Sequence, residues 1–279
     1  MGFMEHLDAL RAHLWRSVVV LFVLMLGLFS QKAWVFDTVL LGPKNPDFVS
    51  YRWLCSLGHA LGQGEWWCVE AMPLQLVNLE LTGQLMQHLY VSFFGALVLG
   101  FPYLVWEFWR FISPALRDRE FFAARRLILA VMLLFFAGCA FGYFILGPMS
   151  ILFLSNYSVS AQVVNTVSLS SYVSALTMTV LTAGLIFELP VLAYFLGLVG
   201  IINAPWMRRN RRYAVVANLV IAALLTPSDI GGMLILALPM MLLYEMSIMV
   251  VAASSRQPSM ASVTAPSDEP NLPQNDSNG

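Results

Sequence analysis

The sequence carries little charge. Only 11% of its 279 residues are Asp, Glu, Lys or Arg, whereas a soluble domain has about 25%. Hydrophobic residues make up 59% of the chain, and the mean hydropathy is +0.73. Because a soluble fold could not bury this much apolar surface, the composition excludes an ordinary soluble protein. It predicts an all-α membrane protein with several spans.

A basic excess is missing as well. The 15 Lys and Arg residues face 16 Asp and Glu residues, and this net charge of −1 argues against nucleic acid as a partner. Three Cys and four His show no spacing typical of a zinc site, so we expect neither a metal nor a cofactor. There is no His-Glu-x-x-His motif and no Gly-rich phosphate loop. We therefore expect no catalytic residues and no enzymatic activity.

Six hydrophobic segments predict transmembrane helices. They run from about Leu14 to Phe29, Leu89 to Trp106, Leu127 to Leu146, Tyr172 to Leu198, Tyr213 to Leu225 and Met233 to Ala252. The fifth is short, because about 14 residues at 1.5 Å each reach only ~21 Å of a core about 30 Å thick. Either helices five and six form a short hairpin that thins the bilayer or contacts a partner, or these boundaries are off by a few residues.

Proline and glycine suggest where these spans end or bend. Gly147-Pro148 and the polar stretch 155–171 should separate spans three and four. Glu188 and Pro190 should interrupt span four, and Pro239 with Glu245 should break span six. The turn between spans five and six should contain Pro227 and Gly231-Gly232.

The positive charges predict the orientation. Twelve of the fifteen Lys and Arg residues fall on one side of a six-span arrangement, and Lys32, Lys44 and Arg52 fall on the other. By the positive-inside rule, both termini are cytoplasmic. Residues 1–253 then form the membrane domain, with an external loop at about 31–87. Residues 254–279, rich in Ser, Pro, Asn and Asp, form a disordered cytoplasmic tail.

Several polar residues are candidates for function. Glu188 lies in mid-span, either as a protonated group bonded to a neighbouring helix or as a contact for a substrate or partner. Glu107 is expected to form an i,i+3 ion pair with Arg110. The sequence around Glu120 is consistent with a capping carboxylate among arginines, and the role of Glu245 is ambiguous from the residues alone.

The cysteines divide into a pair and a single residue. Cys55 and Cys68 lie in the predicted external loop, where an oxidising environment favours a disulfide between them. Cys139 lies inside span three and is interpreted as a packing residue.

A set of short motifs follows these spans in a fixed order. They are His6-Leu7-Asp8-Ala9-Leu10-Arg11, Phe101-Pro102-Tyr103, the run from Trp109 to Glu120, Phe187-Glu188-Leu189-Pro190, the run from Leu225 to Asp229, and the run from Leu238 to Glu245. In this order the sequence resembles TatC, the integral receptor subunit of the twin-arginine protein translocase. The resemblance covers about residues 4–249.

The resemblance implies a fold and a function. The fold would be a cupped, glove-shaped bundle of six helices in the bacterial inner membrane, with a concave face open to lipid. The protein would bind twin-arginine signal peptides of folded proteins and export them with the proton-motive force. It would act with single-span TatA- and TatB-type subunits, as a homo-oligomer within the complex.

The resemblance also implies roles for particular residues. Glu120 matches the family's binding glutamate, and Arg119, Asp8 and Arg11 would complete the signal-peptide site. Three further carboxylates would make polar contacts to partner helices in the membrane, namely Glu188, Asp229 and Glu245. Pro43 matches the family's proline after the first span.

The N-terminal motif departs from the family pattern. The usual glutamate two residues before the arginine is Ala9 here, and the carboxylate stands one position earlier, at Asp8. One residue rotates a helical side chain by about 100°. Either Asp8 substitutes with a different direction, or Arg11 and Glu5 take over its role.

One alternative function comes from a different class of protein. Glu188 could be the coupling carboxylate of a proton-coupled secondary transporter. No internal repeat is visible in the sequence, which counts against a transporter built from two matching halves.

Overall fold

A computed structural model describes residues 3–60, 62, 68, 75–112, 121–156, 166–198, 200–225 and 230–254. This part of the chain is mostly helical. Its α-helices are α1 (Phe3–Ser30), α2 (Val49–Ala60), α3 (Gly83–Ile112), α4 (Phe121–Phe141), α5 (Gly147–Asn156), α6 (Leu169–Phe187), α7 (Leu189–Leu198), α8 (Ala204–Arg209), α9 (Arg211–Leu225) and α10 (Ile230–Ser254). Two π-helical segments (Trp34–Leu40 and Gly142–Leu146), a 3₁₀ turn (Gly42–Lys44) and strands β1 (Gln75–Val77) and β2 (Thr166–Ser168) complete it.

Five helical segments of the described residues have the length and hydropathy to cross a membrane. They are Leu10–Ser30, Gly83–Phe111, Leu127–Ser155, Leu169–Gly197 and Met233–Ala253. Each overlaps one of the predicted spans. The remaining predicted span corresponds to α9, whose 15 residues extend only about 22 Å and fall short of a hydrocarbon core about 30 Å thick.

The prediction that Gly147-Pro148 ends the third span is wrong. The chain stays helical from α4 through the π-helical segment Gly142–Leu146 into α5. Proline lacks an N–H and disrupts a regular helix, and the wider π turn directly before Pro148 accommodates the change in hydrogen bonding. The span therefore extends to Ser155, nine residues beyond the predicted end at Leu146.

The expected break in the last span is absent too. α10 runs without interruption from Ile230 to Ser254 with Pro239 inside it. Gly231-Gly232, expected in the preceding turn, lies in the first turn of α10. Membrane helices tolerate proline because neighbouring helices and local adjustments compensate the freed backbone groups.

The predicted interruption at Glu188 is present. α6 ends at Phe187 and α7 begins at Leu189, so that Glu188 is the hinge residue between them. The Glu188 carbonyl accepts the N–H groups of Val191 and Leu192, both at 3.0 Å. Pro190 is thus in the first turn of a new helix, where its missing N–H costs little.

The helices pack in neighbouring pairs. α1 lies along α3, α4 lies along α6, and α10 contacts both α7 and α9. One side of α1 stays open, since Trp15, Phe22 and Val23 are 69%, 57% and 62% exposed. In water such a surface would be unstable, whereas lipid or a partner helix covers it in a membrane.

Glycines bring α4 and α6 into close contact. A Cβ atom added at Gly138 would lie 2.6 Å from the Ala183 carbonyl oxygen and 2.8 Å from the Gly184 Cα. At Gly142 it would lie 2.9 Å from the Val180 Cα. The two backbones are therefore too close for any side chain, as is typical of helix pairs in membranes.

The described part of the segment between α1 and α3 is folded and packs against the helices. The buried Tyr51 hydroxyl donates to the carbonyl oxygens of Pro43 and Pro148, at 3.0 and 3.1 Å. Burial raises the pKa of this phenol above its usual range. Tyr172 donates to the Leu40 carbonyl at 2.9 Å, and β1 pairs with β2 in parallel. The segment is thereby attached to α5 and to the start of α6.

Candidate functional site

A buried carboxylate joins α1 to α3 near the end of the bundle where α1 begins. The Glu107 side chain is only 2% exposed. Its Oε2 lies 3.0 Å from His13 Nδ1, and its Oε1 accepts a hydrogen bond from the Tyr103 hydroxyl at 3.1 Å. Because an ionised carboxylate only accepts, His13 donates through Nδ1–H. We refer to His13, Tyr103 and Glu107 as the α1–α3 network.

Two arginines lie at the edge of the α1–α3 network. Arg16 and Arg110 each have a guanidinium nitrogen 3.9 Å from the Glu107 carboxylate, and both side chains are about half exposed. The expected i,i+3 pair between Glu107 and Arg110 thus exists, but at the outer limit of an ion pair. The closer partner is His13 on another helix, which sequence spacing alone does not indicate.

The α1–α3 network shares helix α1 with two of the predicted signal-peptide residues. Asp8 and Arg11 are exposed on α1, and no ion pair among the described residues involves either of them. Arg119 and Glu120 lie outside the described residues. The chain leading to them leaves α3 at Ile112, five residues after Glu107. The network therefore fixes the position from which that loop departs.

Glu188 is half-buried at the hinge between α6 and α7. Its carboxyl group lies beside the backbone of Phe135 on α4. The Oε1 atom is buried and has no hydrogen-bond partner among the described residues. A buried polar atom without a partner is costly, more so at membrane depth. Because this oxygen is buried, a donor from another chain reaches it only if the neighbouring helices move apart.

Of the other two membrane carboxylates, Glu245 lies among the described residues. Glu245 forms an ion pair with Arg211 at 2.7 Å, with both side chains about half exposed. The pair joins α10 to the first residue of α9. Asp229 lies outside the described residues.

An apolar cavity of about 220 Å³ opens between α1, α3 and α6. Its walls include Leu28 on α1, Phe94 and Leu99 on α3, and Val180 and Leu181 on α6. Such a cavity can hold an aliphatic side chain or an acyl chain and offers no site for a charged ligand.

The described residues include one group that could hold a metal ion. Cys55 and Cys68 form a disulfide, with Cα atoms 4.4 Å apart, and His59 lies beside it. Cys139 is free and buried, in line with a packing role.

Comparison with known proteins identifies the family. The family described as Sec-independent protein translocase protein (TatC) matches residues 5–239. The chain belongs to the TatC family. This TatC family member is 35% identical over 251 residues to a Sec-independent protein translocase protein TatC of Blattabacterium sp. subsp. Periplaneta americana, covering 90% of this chain and 94% of the relative. It is 33% identical to the TatC of Koribacter versatilis, covering 89% and 84%.

Solved structures agree with this assignment. A crystal structure of the twin-arginine translocase receptor TatC matches the fold with a TM-score of 0.66 and 28% identity, covering 90% of this TatC family member and all of that chain. A second crystal structure, of TatC in DDM, matches with a TM-score of 0.67. The expected family is therefore confirmed.

Membership in the TatC family establishes the general activity. The protein is a component of the twin-arginine translocase and a multi-pass protein of the bacterial inner membrane. It belongs to a protein-transport family, which is not a family of enzymes in general, and it acts with other Tat subunits. This assignment replaces the proton-coupled secondary transporter as an interpretation of Glu188.

Proposed function

We propose that this chain is the receptor and core subunit that binds twin-arginine signal peptides. Within the translocase it would export folded proteins with the proton-motive force. The proposal rests on how residues are arranged at the end of the bundle that contains the α1–α3 network. There, Asp8 and Arg11 are exposed, without an ion pair among the described residues, on a helix held to α3 by a buried carboxylate.

The paired arginines would be bound by carboxylates. A guanidinium group presents a planar fork of donors that fits a carboxylate in a bidentate contact. We assign Glu120 to this role, with Asp8 as a second acceptor on the same side. Arg119 directly precedes Glu120, and Arg11 follows Asp8 by three residues, so that both arginines would complete the site.

The apolar part of a signal peptide would lie against the membrane-facing surface. The cavity between α1, α3 and α6 and the open side of α1 together offer apolar contact area. Burying a Leu or Phe side chain there would contribute about 1.5–3 kcal/mol. A concave, glove-shaped surface of six spans with both termini cytoplasmic would present this area to the bilayer.

Partner subunits would use the polar points at membrane depth. The half-buried Glu188 side chain, whose Oε1 has no donor among the described residues, supports a contact with a donor on the single helix of a TatA- or TatB-type subunit once the neighbouring helices move apart to admit it. Asp229 and Glu245 are assigned to the same class of contact, although Glu245 would have to share its carboxylate with Arg211. Several copies of the chain would assemble in one complex.

Co-purification with a signal peptide tests the receptor role. The purified chain in detergent should retain a twin-arginine signal peptide and lose most of it when the two arginines are replaced by lysines, because lysine cannot form the bidentate contact. Glu80→Gln serves as a control variant that should retain the peptide as the parent does, since Glu80 is exposed on the segment before α3, at the end of that helix opposite Glu107. Equal retention of the arginine and lysine peptides would overturn the proposal.

A further inference from the structure

The disulfide in the segment that connects α1 to α3 lies next to a histidine. Cys55 and His59 stand four positions apart on α2, so their side chains project from the same face of the helix. His59 Nε2 lies 3.7 Å from Cys68 Sγ. The two sulfur atoms and one imidazole nitrogen all lie within 4.8 Å of one another.

This cluster borders an open cavity. The cavity has a volume of about 340 Å³, and Asp47 and Arg52 lie on its wall together with the two cysteines and His59. His59 is exposed, and both cysteines are half-buried. An ion and a bound water can therefore reach all three groups without a rearrangement of the helices.

We propose that Cys55, His59 and Cys68 form a zinc site once the disulfide is reduced. Tetrahedral zinc, with Zn–S of about 2.3 Å and Zn–N of about 2.0–2.1 Å, requires a sulfur-to-nitrogen distance of about 3.6 Å. The 3.7 Å between His59 Nε2 and Cys68 Sγ meets this requirement. Zinc also requires the two sulfurs to stand about 3.8 Å apart, which side-chain rotation permits after the bond is broken.

Two thiolates and one imidazole leave the fourth position of the ion open. Water fills this position from the cavity, whose wall also carries Asp47. Thiolate and imidazole ligands suit zinc better than magnesium or calcium, which prefer oxygen.

Formation of the zinc site begins with reduction of the disulfide, for which a dithiol is the reductant. A dithiol supplies two electrons and two protons, so that the Cys55–Cys68 bond breaks into two thiols while the dithiol closes into its own disulfide. Zinc then displaces both thiol protons into solvent and forms two Zn–S bonds and one Zn–N bond. The disulfide and the metal cannot be present together, because both use the same two sulfur atoms. Cys55 and Cys68 are therefore linked either by the disulfide or by the zinc ion.

Metal titration of the full chain in detergent tests the proposal. The protein is reduced with a tertiary phosphine, which takes its oxygen from water and does not compete for metal, and the reagent is then removed without air. Cobalt serves as the spectroscopic probe for a tetrahedral thiolate site, and zinc should displace it. We expect one cobalt ion per reduced chain and none per oxidised chain.

Two variants identify the ligands. His59→Ala should weaken cobalt binding by about tenfold or more, and Cys139→Ala should leave it unchanged, since Cys139 is buried elsewhere. Absence of a thiolate–cobalt absorption band after both thiols are shown to be free would overturn the proposal. Binding that is the same in His59→Ala would also overturn it, as would loss of helical circular dichroism on reduction.

Discussion

Glu107 on α3 connects that helix to α1 through His13, and it also accepts a hydrogen bond from Tyr103 on its own helix. We expect Glu107→Ala to destabilise the protein by about 1–3 kcal/mol, because it leaves two buried or half-buried donors without an acceptor. Glu107→Gln keeps an acceptor and should lose less. Thermal unfolding in detergent measures the difference.

Arg110→Ala is the matched control for Glu107. Its guanidinium is about half exposed and 3.9 Å from the carboxylate, and exposed pairs contribute about 0–1 kcal/mol. A loss of stability in Arg110→Ala as large as that in Glu107→Ala would contradict the assignment of His13 and Tyr103 as the main partners.

Glu188 is expected to contact a partner's membrane helix. In a chain carrying Cys139→Ala, Glu188→Cys should crosslink to a cysteine placed in the single helix of a TatA- or TatB-type subunit. Leu146→Cys is the control, because Leu146 is 2% exposed and points into the core. Equal crosslinking at both positions, or none at position 188 in an assembled complex, would rule out this contact.

Single residues were predictable from the sequence only where their setting is local. Glu188 stands out because a carboxylate inside a long uncharged span is costly wherever it points. The setting of Glu107 could not be predicted, because its closest partner His13 is 94 positions away. Arg110, by contrast, lies one turn along the same helix. The sequence therefore favoured the weaker of the two contacts.

At the scale of helices, the close approach of α4 and α6 depends on glycine. We expect Gly138→Ala to destabilise the protein by about 1–3 kcal/mol, since the new methyl group would meet the backbone of Ala183 and Gly184 rather than a flexible side chain. Unfolding in detergent is again the measurement.

Gly27→Ala on α1 is the corresponding control. Nothing lies within 4 Å of a Cβ at Gly27, and alanine is the better helix former by about 0.5–1 kcal/mol. This variant should be as stable as the parent or more so. If both alanine variants were equally stable, the helix contact would not require glycine at position 138.

Long hydrophobic helices were predicted well because their signal is the composition of about 20 residues. Their ends were predicted less well, since Pro148 and Pro239 break isolated helices but are compensated inside a packed bundle. The pairing of β1 with β2 joins residues 91 positions apart through strands of three residues. Such short strands carry no periodicity that a sequence could reveal.

For the whole molecule, the arrangement of arginines predicts both termini in the cytoplasm. In a Cys139→Ala background, Glu80→Cys should react with a membrane-impermeant maleimide in intact spheroplasts. Asp8→Cys and Arg208→Cys, also at exposed positions, should react only after the membrane is opened. Labelling of Arg208→Cys in intact spheroplasts would contradict four crossings before that position. Ala253→Cys, exposed at the end of α10, should also react only after the membrane is opened, and its labelling in intact spheroplasts would contradict a six-span topology in which the short α9 crosses the bilayer.

The receptor role depends most on the carboxylates that would bind the arginine pair. A hydrogen bond to a charged group is worth about 1.5–3 kcal/mol, which corresponds to a ten- to hundredfold change in affinity at about 1.4 kcal/mol per factor of ten. We assign arginine binding chiefly to Glu120 and treat Asp8 as displaced by one residue from the position that the resemblance implies. Glu120 should therefore contribute more than Asp8.

The most direct test is the affinity of a twin-arginine signal peptide for the parent, Glu120→Gln and Asp8→Asn, at one fixed salt concentration because salt screens exposed charges. Glu120→Gln should weaken binding by about ten- to hundredfold, and Asp8→Asn by less. A larger loss in Asp8→Asn would transfer recognition to the displaced carboxylate. Unchanged affinity in Glu120→Gln would contradict the account of how this chain recognises its cargo.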